Sequence, residues 1–136
     1  MDWDPAFVDR SPMLEPFREH VAPLRLHRDW PTRDALQALF RARGVATTDG
    51  TPLRLVDDAG TEPYETRIRL RGEMHVRDRD WHDFFGALVW LTYPKTKAAL
   101  NDALVFGYVS HTRAPKKSCQ SRSRTCISPR SRIRVS

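Results

Sequence analysis

His82 and Asp83 stand side by side in the chain. An adjacent imidazole and carboxylate suit two kinds of chemistry. Both can ligate a metal ion that activates water, or the carboxylate can orient the imidazole for proton transfer. Either use needs further groups from other parts of the chain. Glu65 is the first candidate to join His82 and Asp83 in a catalytic set, and His75 the first to join them around a metal. A second ligand motif is not visible, and the dipeptide alone is a weak signal. The simpler reading is capping and local hydrogen bonding at a helix start, and the residues favour it.

A second constellation is Lys95, Thr96 and Lys97, directly after Pro94. Proline at the first position of a helix puts these residues in its first turn. Cations there cost about 0.3–1 kcal/mol against the helix dipole. Free backbone N–H groups and lysines converging on one helix start would suit an anion. Two solvated lysines are the simpler alternative.

The elements that must hold these residues follow from local chemistry. Asp80 sits where an N-cap belongs, and Asp83 falls in the first turn, so a helix is expected from about Trp81 to Leu91. Pro94 stops it and starts another that runs to about Leu104. At 100° per residue, Trp81, Phe84, Phe85, Leu88 and Leu91 form one broad apolar stripe. His82, Gly86 and Trp90 lie on the opposite face, which is either more core or the wall of a pocket. Upstream, Ser11-Pro12 opens a short helix that ends before Pro23. A second helix starts near Pro31-Thr32, carries Ala35, Leu36, Leu39 and Phe40 on one face, and ends at Gly44. Leu53–Asp57 is a short strand. Tyr64–Arg71 alternates apolar and charged residues, which predicts a second strand with a charged outer face. Met74 and Val76 are placed to resume pairing. The expected fold class is α+β: N-terminal helices, a small antiparallel sheet, a C-terminal helix pair and a disordered basic tail.

Charge divides the chain at the same point. Among residues 1–105 there are 15 Lys or Arg and 17 Asp or Glu; residues 106–136 carry 8 Lys or Arg and no acid. The net charge of +6 therefore belongs to the tail. Serine is also concentrated there, and both cysteines, Cys119 and Cys126, lie in it. A disulfide framework for residues 1–105 is excluded, since they hold no cysteine. A zinc set of His111, Cys119 and Cys126 lacks a fourth ligand. The expected organisation is one globular domain over 1–105 and a disordered Ser/Arg-rich tail over 106–136. Apolar runs of about 18 residues are missing, and the acidic N-terminus is not a secretory signal, so a cytoplasmic setting without a membrane partner is expected.

The run YETRIRLRGEMHVRDRDWHDFFGALVWLTYPKTKAALN resembles an uncharacterised, mainly proteobacterial family catalogued as a domain of unknown function. Its members read YE, an Ile-centred strand, a Gly, a V-P-T-R-like turn, then WHDLFNALVWLxFPxTKAALN. TPLRLV at residues 51–56 resembles the family's PLRFV segment. The resemblance covers residues 5 to 103 and implies no activity, so it supplies no catalytic residues. Gly86 stands where the family usually has Asn, one helical turn from His82. The turn here reads MHVR, so His75 is not a family feature. Family-like text stops at about Leu104. A shifted reading frame in GC-rich DNA yields Arg, Ser, Pro and Cys in the proportions that follow, and a genuine basic tail is the other origin.

The functional expectation is a cytoplasmic bacterial protein of unknown activity, in a truncated or frameshifted copy. One alternative is a metal-dependent hydrolase acting on a phosphate-bearing ligand through His82 and Asp83. The other is a nucleic-acid-binding protein, if the tail is genuine. The sequence leaves the identity of any cofactor open.

Overall fold

A computed structural model describes residues 2–112 of the chain. The tail from residue 113 onward lies outside the described residues, and with it Cys119, Cys126 and most of the expected basic arm.

Local capping chemistry places most of the helices. Ser11 Oγ accepts the Met13 N–H at 3.3 Å, and Pro12 opens a 3₁₀ helix over Pro12–Phe17. The single short helix expected here is instead a run of tight turns: that 3₁₀ helix, α1 (Arg18–Val21), and a further 3₁₀ helix over Ala22–Leu26 that passes through Pro23. Pro12, Pro16 and Pro23 each lack the N–H that a continuous α-helix needs. Helix α2 (Arg33–Arg43) begins where Thr32 Oγ1 accepts the Ala35 N–H at 3.1 Å. It ends at Gly44, which takes the left-handed conformation (φ 67°). Leu36 and Phe40 are buried on its inner face, with Ala35 and Leu39 partly buried beside them.

The sheet has two parallel strands, β1 (Arg54–Val56) and β2 (Glu73–His75), in register Arg54↔Glu73, Leu55↔Met74 and Val56↔His75. This corrects the expected antiparallel pairing of Leu53–Asp57 with Tyr64–Arg71. The latter segment is helix α3 (Tyr64–Arg71), the crossover that a parallel pair requires. Pro63 precedes it, and Gly72 closes it at φ 66°, donating its N–H to Ile68 O. A Cβ on Gly72 would stand 2.6 Å from Pro52 O, so only glycine lets the chain turn into β2 against that carbonyl. Ile68 is fully buried, whereas Leu70 is 67% exposed. The Arg67, Arg69 and Arg71 side chains fan round the helix to Glu73, Asp102 and Glu62. On β1 the buried Gln37 side chain substitutes for a neighbouring strand: its Nε2 donates to Leu53 O (3.1 Å) and its Oε1 accepts from Leu55 N (2.7 Å).

Helix α4 (Trp81–Thr92) is central. Asp80 Oδ1 caps it by accepting the Asp83 N–H at 3.0 Å. Phe84, Leu88 and Leu91 are buried, with Trp81 and Phe85 half-buried at the N-terminal end of the same stripe. Ala87 and Trp90 are buried too, as expected of a helix that is apolar on both sides. Trp3, Phe7, Trp30, Trp81, Phe84 and Phe85 form a cluster of mostly tilted and edge-on rings, with Trp3 stacked on Trp81. Helix α5 (Pro94–Thr112) follows directly and extends beyond the expected end near Leu104, so the backbone of residues 106–112 is helical. Among the described residues, no helix is long and apolar enough to cross a membrane.

Candidate functional site

Three groups of polar residues meet on or beside α4. The first is at its start. The His82 side chain is 90% exposed, and its Nδ1 lies 3.0 Å from Asp83 Oδ1. Asp83 is mostly buried and strongly engaged. Its Oδ2 accepts the Arg77 backbone N–H at 2.9 Å and Arg77 Nε at 2.8 Å, and its Oδ1 accepts Arg77 Nη2 at 3.1 Å. The Arg77 guanidinium holds the Asp83 carboxyl far below the usual carboxylate range, with smaller help from His82. Arg77 Nη2 also lies 3.2 Å from Asp80 Oδ2.

Donor atoms of Asp80, His82 and Asp83 all fall within 4.8 Å of one another, a spacing that could hold a metal ion. Asp80 had signalled only a cap in the sequence. Glu65 and His75 are not members of this group. The ion pairs oppose a dication there: Arg77 engages both carboxylates, although its single charge leaves one negative charge over. A metal would have to displace that guanidinium at the cost of several hydrogen bonds.

The second group joins α3 to α5. Asn101 is fully buried, and its Nδ2 donates to Glu65 O (2.8 Å) and to Glu65 Oε2 (2.6 Å). Lys97, one turn earlier, sits over the Trp90 ring, its Nζ 5.3 Å from the centroid. Glu65 therefore holds α5 in place, and Lys97 packs on α4. The space beside Gly86 is partly filled: a Cβ there would find Met74 Cε at 3.9 Å.

The third group surrounds a cavity of about 360 Å³ between the end of α2 and the start of α5. Its charged lining residues are Arg43 and Lys95; Thr47, Thr48, Gly44 and Pro94 contribute as well. The first intrahelical bond of α5 runs from Lys97 N to Tyr93 O at 2.9 Å, so the N–H groups of Lys95 and Thr96 precede it at the positive end of the helix. Arg43 is fixed by donating Nε to Leu91 O at 3.0 Å, near the carbonyl end of α4. His20 lies close enough to feel that charge: burial first, and then Arg43, depress its pKa, with Glu19 opposing. Of the three residues singled out at the start of α5, Lys95 lines the cavity, Lys97 lies over Trp90, and Thr96 is exposed. The contribution of Arg43 had no local signal in the sequence; it ends a helix whose last turn is basic for ordinary dipole reasons.

Comparison with known proteins adds one match. The family model described as "Protein of unknown function (DUF3025)" matches residues 53–127, from the residue before β1 through α5 and into the basic tail. No curated protein matches the chain, and no solved structure does.

Proposed function

The chain belongs to the DUF3025 family, whose activity is unassigned, and from its geometry we propose that it binds a small phosphate- or carboxylate-bearing anion at the start of α5. The observation that carries this reading is the cavity of about 360 Å³ whose charged lining is Arg43 and Lys95, with no acid among the lining residues. Two cations and the first-turn N–H groups of a long helix act on the same volume. An anion there would also offset the unfavourable placement of Lys95 against the helix dipole. Titration with inorganic phosphate and pyrophosphate at low ionic strength, followed by calorimetry, tests the reading. Arg43→Ala and Lys95→Ala should each weaken binding about tenfold, since a charge-assisted hydrogen bond contributes about 1.5–3 kcal/mol. Binding that is absent, or unchanged in both variants, overturns it.

The runner-up is a metal-dependent hydrolase built on His82 and Asp83. The Asp80–His82–Asp83 spacing favours it, and the Arg77 ion pairs oppose it. Manganese or zinc titration of wild type and Arg77→Gln separates the two: binding that appears only in the variant shows that arginine occupies the site, and tight binding in wild type would restore the hydrolase.

The basic tail supports a third reading, non-specific nucleic-acid binding. That binding should weaken steeply with salt and vanish when the tail is deleted. A cytoplasmic setting, and one folded unit over residues 1–105, belong to the same proposal.

A further inference from the structure

A second cavity, of about 310 Å³, shares no lining residue with the one at the start of α5. Phe7, Trp81 and Phe85 contribute aromatic walls, and Asp2, Asp4 and Arg10 stand round it. The three rings are set close and mostly at steep angles. Phe7 and Phe85 centroids are 5.4 Å apart at 89°, Phe7 and Trp81 5.3 Å at 66°, and Trp81 and Phe85 5.7 Å at 32°. The rings pack directly on one another, and Phe7 is buried beneath, so the open aromatic surface is that of the half-buried Trp81 and Phe85. Such surface attracts the methyl groups of an alkylated ammonium, whose positive charge is spread over them.

The acid beside the rings is already held for a cation. Asp4 Oδ1 accepts the Ala6 N–H at 3.0 Å, which fixes the carboxylate. Its Oδ2 is buried and makes no aligned hydrogen bond, although Arg10 Nε stands 2.7 Å away. The two side chains differ in exposure: 75% for Arg10 and 27% for Asp4. A mostly solvated guanidinium thus rests against a mostly covered carboxylate and is free to swing out. The cavity shows its preference through this internal cation, and Asp2 leaves the lining with net negative charge.

We infer that this cavity binds an alkylated ammonium group, with Trp81 and Phe85 receiving the methyls over a floor formed by Phe7, Asp4 receiving the charge, and Arg10 as the displaced competitor. The volume suits a small organic cation, and the rings exclude water from one side of it.

Choline and tetramethylammonium are the probes, with 3,3-dimethylbutan-1-ol as the neutral isostere of choline, and tryptophan fluorescence as the readout because Trp81 forms a wall. Both cations should quench or shift emission saturably. The isostere should bind at least about tenfold more weakly, the factor that corresponds to ~1.4 kcal/mol. Asp4→Asn should weaken choline binding by about tenfold or more, and Arg10→Ala should tighten it several-fold. Equal binding of choline and its isostere overturns the inference, as does choline binding unaltered by Asp4→Asn or weakened by Arg10→Ala. If Asp4→Asn perturbs folding, the Arg10→Ala and isostere comparisons still decide, since Arg10 is largely solvated. Neither result depends on the anion cavity.

Discussion

Gly86 lies in the interior of α4, the helix on which most of the packing converges. Glycine there costs about 1 kcal/mol relative to alanine, because the unfolded chain loses more freedom on entering a helix. The surroundings decide whether that can be recovered. A Cβ at this position meets only Met74 Cε, at 3.9 Å, which is ordinary van der Waals contact. Gly86→Ala should therefore stabilise by about 1 kcal/mol without strain. In urea, with a slope of about 1–3 kcal/mol/M, the midpoint should rise by roughly 0.3–1 M at unchanged slope. The melting temperature should rise by about 4–8 °C. Gly86→Asn, the residue the resemblance leads one to expect, gains less from propensity alone, about 0.3 kcal/mol. A destabilised Gly86→Ala would mean that α4 packs against β2 more tightly than described. Gly86→Asn equal to or above Gly86→Ala would mean that the amide finds a partner. His82, one turn away, would then be the first to test, in a double-mutant cycle with His82→Ala.

Three further outcomes follow from single contacts. Asn101→Ala should destabilise by about 2–4 kcal/mol in urea unfolding, because it opens space between α3 and α5 and removes the Glu65 partner; a loss below about 0.5 kcal/mol would show that water replaces the amide. Gly72→Ala should cost at least about 2 kcal/mol, since φ is 66° and the new methyl would meet Pro52 O at 2.6 Å; a neutral effect would refute the α3–β2 turn geometry. His20 is held below its ordinary pKa by burial and Arg43, so the unfolded chain takes up a proton that the folded one refuses. Stability should be full above about pH 6.5 and fall as the pH drops towards the lowered folded value, and His20→Asn should flatten that segment of the profile.

The parts of the fold legible in the sequence are those set by chemistry within one turn. Ser11, Thr32 and Asp80 accept the N–H groups expected of them, and Gly44 takes the left-handed cap. Tyr64–Arg71 was misread because eight residues do not separate a period of 2 from one of 3.6 when apolar and charged residues simply alternate. The decisive signals stood at its ends. Pro63 and Glu65 suit a helix start, Arg69 and Arg71 a helix end, and Gly72 a C-terminal cap. With this segment helical, the connection between β1 and β2 is long enough to act as the crossover that their parallel pairing requires. The misreading of pairing was thus a consequence of the misread segment.

The candidate sites were less legible, because their partners are distant in the chain. Arg43 reaches the start of α5 only after the chain has passed through the sheet, α3 and α4, and Glu65 meets Asn101 only once α3 has packed on α5. Several residues of the run from Tyr64 to Asn101 have structural duties: Asp83 holds Arg77, Trp90 carries Lys97, and Asn101 holds Glu65. Each is a polar or aromatic residue whose partner would be left unpaired or uncovered by its loss, so packing alone is enough reason for its presence. His82 differs, since its side chain is 90% exposed and it borrows Asp83 only as a neighbour. Its replacement should cost the fold little. A loss of any binding or turnover in His82→Ala, with stability intact, would therefore report function in a way that changes at Asp83, Trp90 or Asn101 cannot.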